Sequence, residues 1–75
     1  MPAKQKPGLT QLVGRNVRRL RESAGLTQTD LAREAGIEQG TLSAIETGTR
    51  GVSMLMVARL AETLGVKAVV LFREP

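Results

Sequence analysis

A length of 75 residues predicts one small domain with a single core, and a composition that is 41% hydrophobic with one aromatic residue makes that core aliphatic. The absence of Cys and His excludes a disulfide framework, a thiolate or imidazole metal site and the commonest general base. The net charge of +4 suits a polyanionic partner. The sequence shows no signal peptide and no apolar run near the roughly 20 residues of a membrane span, so we expect a cytoplasmic protein that does not bind a membrane.

The positive charge is concentrated at the N-terminal end. Residues 1–8 contain prolines, lysines and a glycine, and they predict a flexible basic arm ahead of a single domain at residues 9–75. No acidic residue precedes Glu22. A basic arm and a basic first helix suit a nucleic-acid partner, while a solvated basic face is the alternative explanation of the same charges.

The first helix is predicted to begin near residues 9–11, with Thr10 as its candidate N-cap, and to run to Ala24. Its apolar residues recur at spacings of four and three, which indicates one buried stripe. Gly25 follows as the residue that ends the helix in the left-handed conformation. The predicted stripe contains Leu9, Val13, Val17, Leu20 and Ala24.

Two short helices are predicted next, joined at Gly36. Thr27 and Asp30 form a short capping box at the start of the second helix. The third helix is predicted at residues 39–47, with Leu42 and Ile45 facing inward. A helix pair joined by a brief glycine-containing turn is how many proteins place one helix in the major groove of DNA.

A fourth helix and an ambiguous last segment complete the chain. Ser53 is a good N-cap for the fourth helix, which is expected to end at Gly65. Its predicted inner face contains Met54, Val57, Leu60, Ala61 and Leu64. Residues 66–72 fit a short helix, with Ala68, Leu71 and Phe72 on one face, or a strand favoured by their valines. Both alternatives remain open from the sequence.

Several motifs in this order resemble the Xre-like, lambda-repressor-type helix-turn-helix family of transcriptional regulators. They are Arg18-Arg19-Leu20-Arg21, Gly25-Leu26-Thr27-Gln28, Leu31-Ala32, Gly36-Ile37, Thr41-Leu42-Ser43, Ile45-Glu46-Thr47-Gly48 and residues 60–66. The resemblance covers about residues 12–72. It implies an all-α bundle of four to five short helices, usually a homodimer on a two-fold operator in double-stranded DNA, with the helix at 39–47 as the recognition helix.

Carried over position by position, the resemblance also implies the residues that contact DNA. Gln39 is the best candidate reader of a base, because a carboxamide can pair with N6 and N7 of adenine. Gln28 lies where the family holds phosphate and often braces the recognition helix, and the free N–H groups of a helix N-terminus favour an anion there. The implied base contacts are Gln39, Gly40, Thr41, Ser43 and Ala44. The implied phosphate contacts are Thr27, Gln28, Arg50, Ser53 and Arg18.

Arg21 and Glu46 are charged residues that could be taken for DNA contacts, but the resemblance implies a partly buried salt bridge between them. Losing one partner of a fully buried pair costs about 3–5 kcal/mol, so mutation there would imitate loss of function by unfolding.

A dimer interface is expected where apolar residues replace the family's polar ones. Its predicted members are Leu55, Val69, Val70, Leu71 and Phe72; as a strand, the last segment would pair edge to edge with a second copy.

Three residues of the third helix depart from the family's pattern. Glu38 places a negative charge where the family commonly has Ser or Thr as the N-cap. Gly40 costs about 1 kcal/mol of helix propensity relative to Ala and offers no side chain for readout. Ala44 replaces a frequent long polar residue. We therefore expect few base contacts, with DNA shape and phosphate positioning carrying more of the specificity.

The predicted function is sequence-specific DNA binding by a small homodimeric transcriptional regulator, a repressor or autoregulator. The alternatives are a DNA-binding antitoxin that neutralises a toxin protein, a restriction–modification controller, and an adaptor that only dimerises. The scattered acids, with no paired nucleophile and no glycine-rich loop, do not suit an enzyme. We expect no cofactor, no metal and no small-molecule ligand.

Overall fold

The computed structural model describes residues 8–74. Within that range the chain forms four α-helices and a C-terminal 3₁₀ helix, with no strand, which confirms the predicted all-α fold. None of these helices is long and apolar enough to cross a membrane. The predicted arm lies outside the described residues except for Gly8. The elements are α1 (Leu9–Ser23), α2 (Gln28–Ala35), α3 (Gln39–Thr47), α4 (Met54–Leu64) and the 3₁₀ helix (Ala68–Phe72).

The predicted helix ends are confirmed where a side chain caps them. The Thr27 hydroxyl oxygen accepts from Asp30 N at 3.0 Å, and the Asp30 carboxylate accepts from Thr27 N at 3.3 Å, so both halves of the capping box are present at α2. The Ser53 hydroxyl oxygen accepts from Met56 N at 3.1 Å at α4. The start of α1 differs from the prediction, because Gly8 and not Thr10 occupies the N-cap position.

The core lies between all five elements, and three residues predicted to face inward are exposed instead. Leu9 is 61% and Met54 is 79% exposed, because each belongs to the first turn of its helix, which the neighbouring elements leave uncovered. Ala24 lies beyond the end of α1 and is also exposed. The buried apolar cluster contains Val13, Val17, Leu31, Ala32, Ala35, Leu42, Ile45, Val57, Leu60, Ala61 and Leu71.

Helices α1 and α3 touch through their backbones at Gly14. A Cβ atom at this position would collide with the carbonyl oxygen of Ile45 and lie 3.0 Å from that of Glu46. Only glycine allows this approach. The close crossing brings the C-terminal end of α3, and with it Glu46, against α1.

The last segment is a 3₁₀ helix, so the strand alternative and edge-to-edge pairing are wrong. Asn16, which is fully buried on α1, donates from Nδ2 to the carbonyl oxygens of Leu71 (2.8 Å) and Arg73 (2.7 Å). These bonds hold the backbone against α1 and turn Leu71 into the core. Leu71 is therefore inaccessible to a partner, which contradicts its predicted place in a dimer interface.

Candidate nucleic-acid interface

The turn between α2 and α3 sets the direction of α3. Gly36 ends α2 in the left-handed conformation with φ of 72°, and Ile37 N donates to Ala32 O at 2.9 Å, which closes the last turn of the helix. Leu31 on α2 and Leu42 on α3 are both fully buried. Their packing fixes α3 against the bundle and leaves its opposite face outward.

The outward face of α3 is most accessible in its first turn. Gln39 and Gly40 are exposed, whereas the other three predicted base contacts, Thr41, Ser43 and Ala44, are half-buried. A Cβ atom on Gly40 would meet open space, so no part of the bundle requires glycine at this position. The accessible end of α3 is thus the end that a recognition helix directs at base edges.

A chain of hydrogen bonds connects the exposed end of α3 to the interior. Gln39 Nε2 donates to Gln28 Oε1 at 3.3 Å, and Gln28 Nε2 donates to Glu46 Oε1 at 3.0 Å. The carboxylate of Glu46 also accepts from Arg21, through Nε at 2.7 Å and Nη2 at 3.0 Å. We call Gln39, Gln28, Glu46 and Arg21 the polar chain.

The chemistry of the polar chain determines how each carboxamide is turned. A carboxylate only accepts hydrogen bonds, so Gln28 must present its amino group to Glu46 and its oxygen to Gln39. Gln39 then spends one N–H on Gln28 and keeps the second N–H and its own oxygen free. One donor and one acceptor side by side are what a carboxamide needs to pair with N7 and N6 of adenine.

The structure brings Arg21 and Glu46 together as a buried ion pair. Their side chains are 11% and 2% exposed. The hydrogen bond to Glu46 raises the pKa of Arg21 above its ordinary value, against the opposing effect of burial. Arg21 also donates from Nη1 to Leu26 O at 2.8 Å, so the guanidinium ties α1 to the segment before α2 as well as to α3. Neither charge points toward solvent.

The predicted phosphate contacts are spread around α3. Thr27 and Ser53 are exposed at the N-termini of α2 and α4, and their hydroxyl oxygens cap those helices. Arg50 is exposed in the loop between α3 and α4. Arg18 is exposed on α1, where its Nε lies 3.4 Å from Glu22 Oε2, so its charge is partly compensated within its own helix.

Two residues that position this surface, Gly14 and Asn16, were not predicted from the sequence. Both had a local signal, since a glycine and an asparagine interrupt an otherwise regular helical pattern on the buried face of α1. Thr47 was not predicted either; its hydroxyl donates to Ser43 O (3.1 Å) and lies 3.1 Å from Thr49 Oγ1. This pair secures the C-terminal end of α3.

Two short helices set by a left-handed glycine turn, the second with an exposed polar N-terminal end, define a helix-turn-helix unit. A family model described as a helix-turn-helix domain matches residues 12–73. Over 61 residues the chain is 40% identical to the uncharacterised HTH-type transcriptional regulator y4dJ of Sinorhizobium fredii, a match that covers 81% of this chain and 79% of that protein. The chain therefore belongs to the helix-turn-helix family of transcriptional regulators, which confirms the resemblance seen in its motifs.

Two further similarities connect the chain to different regulatory settings. It is 34% identical over 58 residues to the antitoxin PezA of Streptococcus pneumoniae; the match covers 77% of this chain but only 37% of that protein. Among solved structures, the restriction-modification controller protein C.AhdI from Aeromonas hydrophila superposes with a TM-score of 0.81 at 32% identity, covering 84% of this chain and 96% of that one.

Proposed function

We propose that this helix-turn-helix protein regulates transcription in the cytoplasm by placing α3 in the major groove of a specific DNA sequence. The observation that carries the proposal is the polar chain, which presents the Gln39 carboxamide in one orientation at the exposed end of α3. A side chain held in one orientation loses less conformational entropy on binding than a free one.

The residues around α3 divide into two roles in this proposal. Gln39 reads a base, and Thr41, Ser43 and Ala44 add shorter contacts while the backbone at Gly40 approaches the groove. Phosphates are held by the N-terminus of α2 at Thr27 and Gln28, by the N-terminus of α4 at Ser53, and by the cations Arg50 and Arg18. Arg21 and Glu46 serve the fold and align Gln28.

The test is an electrophoretic mobility shift on the DNA upstream of the protein's own gene, at two salt concentrations and with competitor DNA. We expect a discrete complex that survives the competitor and is lost when Gln39→Ala is tested. The control is Ser23→Ala, which removes an exposed polar group at the end of α1 and should bind as the unmodified protein does. Smeared binding that salt abolishes and Gln39→Ala leaves unchanged would contradict base reading by α3.

We also propose that the regulator binds as a homodimer through exposed apolar residues outside α3. Leu55 is 60% and Val69 is 51% exposed, and the half-buried Val70 and Phe72 lie on the same 3₁₀ helix as Val69. Two copies related by a two-fold axis would set half-sites about 34 Å apart.

Dimerisation is tested by the mass of the protein in sedimentation equilibrium. Val69→Glu places a charge in the proposed interface, so we expect a monomer with much weaker binding to a two-fold site. Val69→Ala, which keeps the surface uncharged, is the control. A dimer that persists with the glutamate would overturn this interface.

The antitoxin and controller alternatives differ by partner. The similarity to PezA supports an antitoxin, but it covers a minor part of that protein, and toxin binding needs a surface in addition to the DNA-binding face. The controller C.AhdI is matched over nearly its whole length. Purification of the protein with an unrelated stable partner encoded beside its gene would favour the antitoxin; purification alone with retained operator binding favours the regulator.

A further inference from the structure

The N-cap of α3 differs from those of the two helices on either side of it. At α2 and α4 the hydroxyl of Thr27 or Ser53 accepts from a backbone amide of the first turn. At α3 the N-cap residue is Glu38, whose side chain makes no capping hydrogen bond. Glutamate is not among the residue types that N-caps prefer. Capping therefore does not explain this residue.

The carboxylate of Glu38 has no partner among residues 8–74. The side chain is exposed and takes part in none of the hydrogen bonds or ion pairs formed within that range. Beside it, Gln39 is engaged by Gln28, and the space at Gly40 is open. A free acceptor thus stands at the end of α3 that faces DNA in the proposed function.

The groups that DNA offers to a carboxylate are few. Phosphates repel it, and the base edges of the major groove provide only two hydrogen-bond donors, N4 of cytosine and N6 of adenine. An acceptor of the paired base, thymine O4 or guanine O6, flanks the donor in both base pairs, but adenine also carries the acceptor N7 beside its donor. Cytosine presents its amino group with no acceptor on its own edge. A glutamate in the groove is therefore best satisfied by cytosine.

We propose that Glu38 is a specificity-determining residue that selects cytosine beside the base read by Gln39, by accepting a hydrogen bond from N4. The proposal rests on the proposed function of α3. It also predicts an effect of the negative charge on binding to other sequences, because Glu38 repels phosphates, finds no donor at guanine or thymine, and at adenine finds a donor with the acceptor N7 beside it. Specificity is a difference of affinities, and a group that weakens the wrong complexes increases that difference.

The first test is selection of binding sites from random duplexes by the unmodified protein, Glu38→Ala and Gln39→Ala. The unmodified protein should enrich cytosine at one position, and Glu38→Ala should lose only that preference, a discrimination of about fivefold to tenfold. Gln39→Ala should lose a different position. A role confined to helix stability would lower the melting temperature of Glu38→Ala and leave its selected sequence unchanged.

The second test removes the N4 amino group itself, by replacing the selected cytosine with pyrimidin-2-one opposite guanine. The unmodified protein should bind this duplex about fivefold to tenfold more weakly, and Glu38→Ala should bind it with unchanged affinity. Equal losses in both proteins, or retained cytosine selection by Glu38→Ala, would overturn the role of Glu38. If Gln39→Ala still loses its own base, the proposed function survives that failure. If the unmodified protein enriches no sequence, both proposals fail.

Discussion

Gln28 Nε2 donates a hydrogen bond to Glu46 Oε1 across 3.0 Å, so a residue at the start of α2 is oriented by a buried carboxylate at the end of α3. The same Gln28 accepts from Gln39 through its oxygen. The ion pair between Arg21 and Glu46 therefore contributes to more than the stability of the bundle. Through Gln28, the carboxylate of Glu46 determines which atoms of the Gln39 carboxamide are left without a partner.

This arrangement predicts energetic coupling between Gln28 and Gln39 in DNA binding. Each single replacement by Ala should weaken binding to a selected site, by about 1 kcal/mol for a hydrogen bond of this kind. Once Gln39 is replaced, Gln28 has no side chain left to orient. The double variant should therefore lose less binding free energy than the sum of the two single losses. Fluorescence anisotropy on one duplex measures the cycle.

The control for this cycle is Thr29→Ala combined with Gln39→Ala, because Thr29 is exposed and adjacent to Gln28 but outside the polar chain. Its effect should add to that of Gln39→Ala. Losses from Gln28→Ala and Gln39→Ala that add within about 0.3 kcal/mol would show that the hydrogen bond between them has no role in binding.

A second prediction concerns the backbone contact at Gly14. Alanine raises helix propensity by about 1 kcal/mol over glycine, yet Gly14→Ala should destabilise the protein by about 1–3 kcal/mol or more because its methyl group meets the carbonyl oxygen of Ile45. Urea denaturation measures the free energy of unfolding. The displaced α3 should also bind DNA less well.

Gly40→Ala is the matched control, since it makes the same change in a helix where the new methyl group meets open space. It should stabilise the protein by up to about 1 kcal/mol. Equal stabilisation by both substitutions would mean that α1 and α3 do not approach as closely as described.

A third prediction concerns Asn16 and the C-terminal 3₁₀ helix. Asn16→Leu keeps a similar shape but leaves the carbonyl oxygens of Leu71 and Arg73 without their donor, at about 1–3 kcal/mol for each group that stays buried. We expect lower stability and faster hydrogen exchange at Val70, whose amide closes the 3₁₀ turn on Lys67 O. Unchanged exchange at Val70 would contradict an anchoring role for Asn16.

A fourth prediction concerns the dependence of stability on pH. Hydrogen bonding with Thr27 lowers the pKa of Asp30, and the side chain of Thr27 has a larger effect than its backbone. The folded pKa thus lies below the unfolded value of about 3.9, so the contribution of Asp30 is present above that value and disappears as the pH falls through the folded pKa. The melting temperatures of the unmodified protein and Asp30→Asn should differ at pH 6 and converge in stronger acid. A constant difference down to pH 2 would contradict this assignment.

The helices of the DNA-binding unit could be predicted from sequence because their ends carry local signals. Thr27 with Asp30, Gly36 and Gly48 mark the ends of α2 and α3, and the predicted range of 39–47 is the range observed. The buried face of α1 was predicted only in part. Its regular spacing extended the stripe to Leu9 and Ala24, although coverage by neighbouring elements, and not spacing, decides burial at a helix end.

The family resemblance implied two contacts of the site, the ion pair of Arg21 with Glu46 and the bracing of α3 by Gln28. Local sequence patterns could not supply these or the remaining contacts, because they join residues distant in sequence. The valines of the last segment favour a strand locally, but Asn16, on a different helix, binds its carbonyl oxygens and holds it as a 3₁₀ helix. The polar chain likewise depends on α1 and α3 meeting at Gly14. No local pattern around Gln39 indicates that Gln28 restrains it.

The most direct test of base reading by α3 is an atomic change in the DNA. A selected site is prepared with 7-deazaadenine, which lacks the N7 acceptor, at each adenine in turn, and binding is compared between the unmodified protein and Gln39→Ala. We expect 7-deazaadenine at one position to weaken binding by the unmodified protein about fivefold or more and to leave binding by Gln39→Ala unaffected. If no position separates the two proteins, Gln39 does not read adenine, and the orientation imposed by Gln28 and Glu46 has no role in recognition.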